Sequence, residues 1–341
     1  MFDPFARRKL GRTALSVTPF GFGTAPLAGF RTAIPEADAV GTIDAAYEAG
    51  VRLFDTSPYY GYGRAELRLG AALRDRPRDS LVVSTKIGRW MTPVPRGSTI
   101  EGMRQGGLNF YPTFDYSYDG VRRSLDQSLL RLGMDRVDIV FIHDVDFWTT
   151  DDRLILESRF AETMNGAYRA LADLRSQGVI GAIGGGLNEA DMSARFVRAG
   201  DFDCVLLAGR YTLLEQQALD DFLPLCEQRG VGVVLGGPLN SGILATGARQ
   251  GAKYDYADAP AGVLNRVARI EAVCARHNVP LAAAALQFPL AHPAMAAIIP
   301  GAVSKAELAE NLAHLRRPIP AALWAELVVL GLLDPRAPVP T

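Results

Sequence analysis

Short apolar segments alternate with helical segments eight times along the chain, and this repeat constrains the fold more than any other feature. The apolar segments lack the two-residue alternation of a half-exposed strand, which indicates strands covered on both faces, as in a parallel sheet. Glycines such as Gly50 and Gly133 follow the helical segments, where helices commonly end. Eight such units over roughly 300 residues predict an α/β fold, a closed (β/α)₈ barrel. We expect a short β-hairpin at its N-terminus and extended loops at the C-terminal face of its strands.

A doubly wound sheet is the structural alternative for the same repeat. It would normally carry a Gly-x-Gly-x-x-Gly turn after its first strand, whereas residues 21–26 read GFGTAP, with two glycines and then a proline. The barrel is therefore favoured. No segment rich in glycine or serine marks a boundary, so residues 1–341 are interpreted as a single domain.

The bulk properties exclude several classes of protein. The net charge of −1 gives no overall attraction to nucleic acid or to a membrane surface. The longest apolar run, residues 281–291, is too short and too polar to span a bilayer, and the first residues lack the apolar core of a signal peptide. The three cysteines and four histidines are scattered, which favours a cytoplasmic protein without a metal site. We expect a small-molecule partner, and association into a homo-oligomer stays open.

Ionisable residues stand at the ends of three successive strands. Asp55 ends the second strand, Lys86 the third and His143 the fourth. Each has an ordinary structural explanation, as a capping carboxylate, a lysine reaching to water or a hydrogen-bonded histidine. Active sites of (β/α)₈ barrels, however, lie at the C-terminal ends of the strands, and neighbouring strands are only about 4.8 Å apart. We therefore expect the three residues to lie at one level on neighbouring strands, and this coincidence favours a catalytic cluster.

Three tyrosines follow Asp55 within the stretch LFDTSPYYGYG, residues 53–63. Its proline and glycines are also those of an ordinary turn. A lysine beside a phenol favours the phenolate and lowers the tyrosine pKa from about 10. A carboxylate beside that lysine would keep it charged and in place. One tyrosine of this loop is therefore suited to give or take a proton near neutral pH.

At these residues the sequence resembles the aldo-keto reductase family. The resemblance covers nearly the whole chain, and its motifs are GRTALSVTPFGFGT (11–24), FDTSPYYGYGRAE (54–66), STKIG (84–88), FIHD (141–144) and IIPGAVSKAELAEN (298–311). In the family a tyrosine five residues after the aspartate is catalytic, which selects Tyr60 over Tyr59 and Tyr62. The resemblance thus implies a catalytic tetrad of Asp55, Tyr60, Lys86 and His143.

Members of the family bind an extended nicotinamide dinucleotide without a Rossmann turn. Residues 236–244 resemble the pyrophosphate loop, where we expect the backbone N–H groups of residues 241–244 to reach the phosphates. Residues 300–311 resemble the segment beside the adenosine. The resemblance implies cofactor contacts at Gly23, Thr24, Asn188, Gly236, Pro238, Leu239, Ser241, Gly242, Leu244, Gly301, Glu307, Glu310 and Asn311.

The adenosine segment favours NAD over NADP. Members that prefer NADP usually carry Lys-Ser after the proline and an arginine further on, where this chain has Gly301, Ala302 and Glu307. A 2′-phosphate needs cationic donors, whereas a carboxylate repels it and can accept from a ribose hydroxyl. We therefore predict NAD as the cofactor, with Lys305 as the one residue that would permit NADP if it points inward.

Two further positions depart from the family pattern. The Ser-Asn pair that often holds the nicotinamide carboxamide is replaced by Gly186 and Leu187, with Asn188 one step later. Asn188 either takes that role or caps the next helix. Gly236 stands where an aromatic residue commonly stacks on the nicotinamide.

Residues 114–133, 183–190 and 206–217 look similar to a subgroup that contains NAD-dependent aldose 1-dehydrogenases, acting on L-fucose and related sugars, and pyridoxal 4-dehydrogenase. Both reactions oxidise a cyclic hemiacetal to a lactone. The resemblance implies that Tyr60 accepts the hydroxyl proton with help from Lys86, that His143 orients the same oxygen, and that hydride passes to the nicotinamide. In the loops after the third and fourth strands we expect substrate contacts from Trp90, Phe114, Asp144 and Trp148.

We therefore predict NAD-dependent oxidation of an aldose, with pyridoxal oxidation as the alternative substrate. An NADPH-dependent carbonyl reductase is a second alternative. A non-catalytic barrel that binds NAD is disfavoured because all four tetrad residues are present.

Overall fold

Eight parallel strands surrounded by helices dominate the structure, a computed structural model that describes residues 3–29, 33–98, 100 and 106–340. The strands in chain order are β1 (Arg8–Lys9), β2 (Ser16–Val17), β3 (Phe22–Gly23), β4 (Leu53–Asp55), β5 (Val82–Ile87), β6 (Arg89–Pro93), β7 (Phe110–Phe114), β8 (Ile139–His143), β9 (Ala182–Leu187), β10 (Cys204–Ala208), β11 (Gly232–Gly236), β12 (Lys253–Tyr254), β13 (Ala257–Asp258) and β14 (Met295–Ile299).

The helices pack outside the strands. In chain order they are α1 (Glu36–Ala49), α2 (Arg64–Leu73), α3 (Tyr118–Leu132), α4 (Phe147–Thr150), α5 (Arg153–Asn165), α6 (Ala167–Ser176), α7 (Ala190–Ala199), α8 (Phe222–Arg229), α9 (Ile243–Thr246), α10 (Ala261–Arg276), α11 (Leu281–Gln287), α12 (Lys305–Arg316) and α13 (Ala321–Val329). Among the described residues, no helix is both long and apolar enough to cross a membrane.

The barrel sheet runs in the order β14-β11-β10-β9-β8-β5-β4-β3. It closes where the chain just before β3 meets β14. There the Gly21 N–H donates to the Ile298 carbonyl at 2.9 Å, and the Ile298 N–H donates to the Pro19 carbonyl at 2.9 Å. The predicted (β/α)₈ architecture is therefore confirmed.

Two buried clusters explain why the strands appear in the sequence as continuous apolar segments. The larger cluster lies between the strands and the helices, and the smaller one fills the barrel interior. Side chains of seven of the strands build the interior: Leu53, Val82, Ile139, Phe141, Ala182, Cys204, Leu206, Val234, Ala297 and Ile299. Both faces of these seven strands are thus lined mainly by apolar residues, as expected for a parallel sheet covered on both sides.

The N-terminal β-hairpin pairs β1 with β2 and closes the bottom of the barrel. Leu10 and Val17 are fully buried in the interior cluster. Gly11 makes this close approach possible, because a Cβ there would lie 2.6 Å from the carbonyl oxygen of Gly230. The hairpin therefore leaves the opposite, C-terminal face of the barrel as the open one.

Two antiparallel ribbons extend the loops at that face. The β6–β7 ribbon follows β5, and the β12–β13 ribbon follows β11. The second ribbon turns at Asp255 and Tyr256, which both have positive φ, as a two-residue hairpin turn of the primed type requires. The polar and aromatic residues of these ribbons are thereby held over the ends of the barrel strands.

Candidate active site

The register of β4 and β5 brings a carboxylate and a lysine together inside the barrel mouth. Asp55 pairs with Ser84, and Lys86 lies two residues further on the same face of β5. The Lys86 Nζ donates to Asp55 Oδ2 at 2.6 Å and to the Thr56 carbonyl at 2.8 Å, while Ser84 Oγ donates to Asp55 Oδ1 at 2.7 Å. Burial raises the pKa of Asp55 more than the charge of Lys86 lowers it.

The three strand-end residues are staggered, where we expected them to lie at one level. Lys86 is two positions beyond the partner of Asp55, and His143 is two positions beyond Phe141, the partner of Lys86. The strands of a closed barrel are tilted and shifted in register, so side chains that meet at the mouth come from successively later positions. The stagger therefore brings the three residues to one site.

Tyr60 lies in the turn after β4, where its N–H donates to the Ser57 carbonyl at 3.1 Å. The Lys86 Nζ lies 4.8 Å from the centre of the Tyr60 ring. The Tyr60 and His143 rings meet edge to face, with centres 6.0 Å apart. The residue selected by the family spacing thus contacts both Lys86 and His143.

His143 is surrounded by Ser57 and Arg89, which the sequence did not identify, and by Asp144, which was predicted to contact substrate. Its Nδ1 lies 3.3 Å from Ser57 Oγ and 3.5 Å from Arg89 Nη1, and its Nε2 lies 3.3 Å from Asp144 Oδ1. Burial, followed by the positive charges of Arg89 and Lys86, holds the pKa of His143 well below its usual range. The imidazole is therefore neutral at neutral pH.

Asn188 is held by two aspartates. Its Nδ2 donates to Asp146 Oδ2 at 2.9 Å and to Asp144 Oδ1 at 3.2 Å, and its N–H donates to Asp146 Oδ2 at 2.7 Å. The N-cap of α7 is Glu189, so Asn188 does not cap that helix. Of the two predicted roles for Asn188, carboxamide binding is the one that stays open.

The predicted phosphate loop is coiled more tightly than expected. Gly242 and Leu244 both donate their N–H groups to the Leu239 carbonyl, at 2.9 and 3.2 Å, and the Ile243 N–H bonds the Asn240 carbonyl. In this structure the three amides are hydrogen-bonded within the loop, and their contact with phosphates stays a prediction. The reason for the internal bonds is that residues 240–242 form a 3-10 turn, which uses the amides internally.

Basic side chains lie beside that turn. Arg249 and Lys253 line a cavity of about 220 Å³ together with Ser241 and Gly242. The Oδ1 of Asn240, in the same turn, is buried and has no hydrogen-bond partner. Two cations, an open cavity and an unsatisfied acceptor fit the phosphates and the ribose hydroxyls of a dinucleotide.

The neighbouring predicted contacts at this loop differ in exposure. Gly236 ends β11 and pairs with Ala208 of β10. Pro238 and Leu244 are buried, and Leu239 is half-buried. Because Leu244 lies in the hydrophobic core and its N–H is already used, it offers nothing to a phosphate in this conformation.

The segment after β14 keeps a carboxylate at the start of α12. Ser304 caps the helix by accepting from the Glu307 N–H, and Glu307 Oε2 accepts from the Val303 N–H at 2.9 Å. The Lys305 amine lies against α1, 3.4 Å from where a Cβ on Gly41 would be. The predicted contacts Glu310 and Asn311 follow on α12. There Glu310 Oε1 lies 3.7 Å from His314 Nε2.

Two predicted cofactor residues help to close the barrel. The Gly23 N–H donates to the Pro300 carbonyl at 3.3 Å, and a Cβ on Gly23 would lie 2.9 Å from the Ile299 carbonyl oxygen. Thr24 is fully buried and donates its hydroxyl to the Asp55 carbonyl at 3.0 Å. Gly301 packs on Pro26, whose Cγ lies 2.4 Å from where a Cβ on Gly301 would be.

The four predicted substrate residues do not converge. Phe114 lies over the guanidinium of Arg89 at 4.2 Å, and Asp144 contacts His143. Trp148 lies on α4, with its ring 6.2 Å from Tyr256 of the β12–β13 ribbon. Trp90 does not reach this site. Its neighbour Arg89 is the inward residue of β6. The guanidinium of Arg123 on α3 lies over the Trp90 ring, 4.6 Å from the ring centre.

The residues that sequence reasoning missed look ordinary in the sequence. Ser57 resembles a turn cap, Arg89 a surface cation after a strand, and Arg249 and Lys253 solvated loop charges. Arg210 also lies at this face, where it donates to the Asn188 carbonyl at 2.9 Å and to Asp255 at 3.0 Å. The one usable signal was position, since each follows a barrel strand at its C-terminal end.

Comparison with known proteins matches the chain to one family. A profile of the aldo/keto reductase family matches residues 19–330. The chain is 43% identical to a pyridoxal 4-dehydrogenase of Microbacterium luteolum, over 96% of this chain and 98% of that one. It is 38% identical to a D-threo-aldose 1-dehydrogenase of a Pseudomonas species, over 94% and 95% of the two chains.

Among solved structures, a holo-form aldo-keto reductase of Bacillus halodurans superimposes with a TM-score of 0.71 at 23% identity, over 98% of this chain and 97% of that one. This likeness shows the shared barrel fold. The family profile that matches residues 19–330 and the two relatives show, in addition, membership of the family and an oxidoreductase activity. The chain therefore belongs to the aldo/keto reductase family and is an oxidoreductase that works with a nicotinamide cofactor.

Proposed function

We propose that this enzyme oxidises the hemiacetal carbon of an aldose, L-fucose or a related sugar, to the lactone with NAD. The observation that carries the proposal is the buried Lys86–Asp55 pair, which lies beside the ring of Tyr60 and close to neutral His143. A buried cation next to a phenol is the arrangement that lets a tyrosine accept a proton from a hydroxyl.

Tyr60 is the proposed proton acceptor. The Lys86 amine, 4.8 Å from its ring centre, stabilises the phenolate by its charge. Asp55 keeps Lys86 charged and fixed, because it accepts from the amine at 2.6 Å and is itself held by Ser84. As a phenolate, Tyr60 takes the proton of the substrate hydroxyl while the C–H bond of the same carbon breaks.

His143 is the proposed orienting group for the substrate oxygen. Because the imidazole is neutral, it can donate one N–H to that oxygen without adding a second positive charge beside Lys86. The Tyr116 hydroxyl donates to the His143 carbonyl at 2.7 Å and holds the backbone of the histidine in place. Most of the catalytic gain then comes from placing the reacting groups together and stabilising developing charge.

Bound at this face, the nicotinamide supplies the hydride acceptor. We propose that Arg249, Lys253 and Ser241 contact its phosphates, that Asn188 holds the carboxamide, and that Glu307 accepts from the adenosine ribose. Preference for NAD is supported by the charge of Glu307 at the start of α12 and by the direction of Lys305, which lies against α1. A 2′-phosphate at Glu307 would meet a like charge.

Pyridoxal is the second candidate substrate, and one observation favours it. The chain is 43% identical to a pyridoxal 4-dehydrogenase along nearly its full length, against 38% to the aldose dehydrogenase. Aromatic rings and carboxylates at the barrel mouth suit a pyridine ring as well as the C–H faces and hydroxyls of a sugar.

A substrate panel tests the proposal. Initial rates are measured by absorbance of the reduced cofactor with L-fucose, related aldoses and pyridoxal, each with NAD and with NADP at equal concentration. We expect turnover of at least one aldose with NAD, at a rate more than about tenfold above that with NADP, a difference of about 1.4 kcal/mol. Turnover of pyridoxal alone would shift the assignment to the second candidate. A strong NADP preference, or reduction of carbonyls without lactone formation, would contradict the proposal.

A further inference from the structure

Arg89 is an arginine buried next to the proposed catalytic histidine. It begins β6, and its side chain is 4% exposed. The guanidinium carbon lies between two rings, 4.3 Å from the centre of Tyr59 and 4.2 Å from the centre of Phe114. A planar cation held between two aromatic faces has little freedom to move. Arg89 thus presents its N–H groups in a fixed direction.

Those N–H groups face Asp144 and His143. Arg89 Nη1 donates to Asp144 Oδ2 at 2.8 Å and lies 3.5 Å from His143 Nδ1. The other oxygen of Asp144 lies 3.3 Å from His143 Nε2. Arg89 and Asp144 therefore form an ion pair that spans the histidine ring from one nitrogen to the other.

This arrangement selects one tautomer of His143. A guanidinium only donates, so the Nδ1 that faces it must carry the lone pair. The proton then resides on Nε2, where Asp144 accepts it. The hydroxyl of Ser57 agrees with this assignment, since it can donate to Nδ1 at 3.3 Å. The contacts with Arg89 and Asp144 thus call for the Nε2–H form, and the contact with Ser57 is compatible with it.

Charged and titratable groups face His143 from each element packed around it. They are Tyr59 and Tyr60 after β4, Lys86 of β5, Arg89 of β6, Tyr116 before α3 and Asp144 after β8. Asp144 is the anion of this set that touches the ring, and Arg89 is the cation paired with it. Loss of Arg89 would leave Asp144 free to draw a proton onto the imidazole.

We propose that Arg89 is a positioning residue for the oxidation proposed above: with Asp144 it fixes His143 in the Nε2–H tautomer. The rings of Tyr59 and Phe114 hold the guanidinium in place for this role. Asp144, which we first expected to contact substrate, acts here through His143, because both of its oxygens already have protein partners. The Nε2 contact is long enough for its N–H to be shared with a substrate oxygen.

Nitrogen-15 NMR of histidine-labelled protein tests the assignment without any substrate. A His143→Gln variant identifies the His143 signals among those of the four histidines. In the wild type we expect a neutral ring with the proton on Nε2. In Arg89→Met we expect the pKa of His143 to rise above its wild-type value, because the charge of Arg89 is lost and Asp144 is left unpaired, while burial still opposes protonation. A proton on Nδ1 in the wild type, or a His143 pKa that does not rise in Arg89→Met, would overturn the proposal.

Two further variants keep the test decisive. Arg159→Met is the matched control, since Arg159 lies 3.9 Å over the Phe114 ring and has no contact with His143 among the described residues. It should leave the His143 signals unchanged. Arg89→Met combined with Asp144→Asn removes both charges, which buried pairs tolerate better than loss of one partner. There the ring should stay neutral but populate both tautomers, and a single Nε2–H form would contradict the proposal.

The rate profile adds a second readout once the substrate panel has identified a substrate. Protonation of the Tyr60 phenolate should give both enzymes an acid limb in kcat/KM. In Arg89→Met, kcat/KM should fall by about a further tenfold per pH unit below the raised pKa of His143, and the wild type should lack this second step. A merely structural loss would lower the rate equally at all pH values and would overturn the positioning role. Because the NMR experiment needs no turnover, failure of the proposed substrate assignment leaves it fully interpretable.

Discussion

Replacing Tyr60 by phenylalanine is expected to lower kcat by about 10² to 10⁴-fold, the usual contribution of a positioned acid or base. The substitution removes one oxygen and keeps the ring that lies 4.8 Å from Lys86 and edge-on to His143. The fold and the NAD site should therefore be unaffected. Stopped-flow rates of NADH formation measure the loss, and fluorescence titration with NADH measures cofactor affinity, which should change little.

A matched substitution controls for loss of a tyrosine hydroxyl as such. Tyr118 on α3 donates its hydroxyl to Asp173 at the protein surface, at 2.9 Å. Tyr118→Phe should retain the wild-type rate. If Tyr60→Phe turned over at a similar rate to Tyr118→Phe, proton transfer by Tyr60 would be ruled out, and another group at the mouth would have to accept the hydroxyl proton.

Lys86→Met is expected to destabilise the fold by about 3 to 5 kcal/mol at neutral pH, the usual effect of removing one partner of a buried ion pair. The side chains of Lys86 and Asp55 are 1% and 3% exposed, so water cannot replace the lost partner. The variant should also lose turnover, because nothing then stabilises the Tyr60 phenolate. Denaturant unfolding measures the first effect.

The destabilisation should depend on pH with a defined sign. Burial already raises the pKa of Asp55 and Lys86 opposes that rise, so removing Lys86 raises the pKa of Asp55 further. An acid with a raised folded pKa binds its proton more tightly in the folded state. The loss of stability relative to the wild type therefore grows once the pH exceeds the folded pKa of Asp55 in the wild type, which already lies above the unfolded value of about 3.9. It levels off above the higher folded pKa of Asp55 in the variant. A loss independent of pH would show that Asp55 is not the cause.

Two comparisons isolate the charge effect. Adding Asp55→Asn to Lys86→Met removes the unpaired carboxylate and should restore most of the lost stability, though not the activity. Lys253→Met is the surface control, since Lys253 and Asp258 form an ion pair that is 40% and 81% exposed. That pair should contribute less than about 1 kcal/mol. If Lys253→Met and Lys86→Met lowered the free energy of unfolding equally, burial could not be the reason for the large effect at Lys86.

The barrel could be predicted because its signals are local and repeated. Each apolar segment and each helix stop, such as Gly133, which ends α3 with a φ of 62°, depends on nearby residues. The positions of Asp55, Lys86 and His143 followed from the same repeat, since barrel sites lie at strand ends. What the repeat could not specify was the stagger between β4, β5 and β8, which depends on the tilt of the closed sheet.

The surroundings of His143 could not be predicted for a different reason. Arg89 reaches the histidine because the β6–β7 ribbon folds back over the strand ends, and nothing in the residues near Arg89 specifies that long-range contact. The conformation of the predicted phosphate loop could not be read from the sequence either: its glycines permit an open nest of amides, but residues 240–242 coil and use the amides internally. Local composition allowed both conformations.

A crystal structure of the enzyme with NAD and the lactone product would test the central claim most directly. The decisive measurement is the distance from the oxygen on the oxidised carbon to Tyr60 Oη and to His143 Nε2. We predict that both lie within about 3.2 Å of that oxygen, the reach of a hydrogen bond. An oxygen beyond hydrogen-bond reach of Tyr60, and bonded instead to another acid or base, would contradict the account.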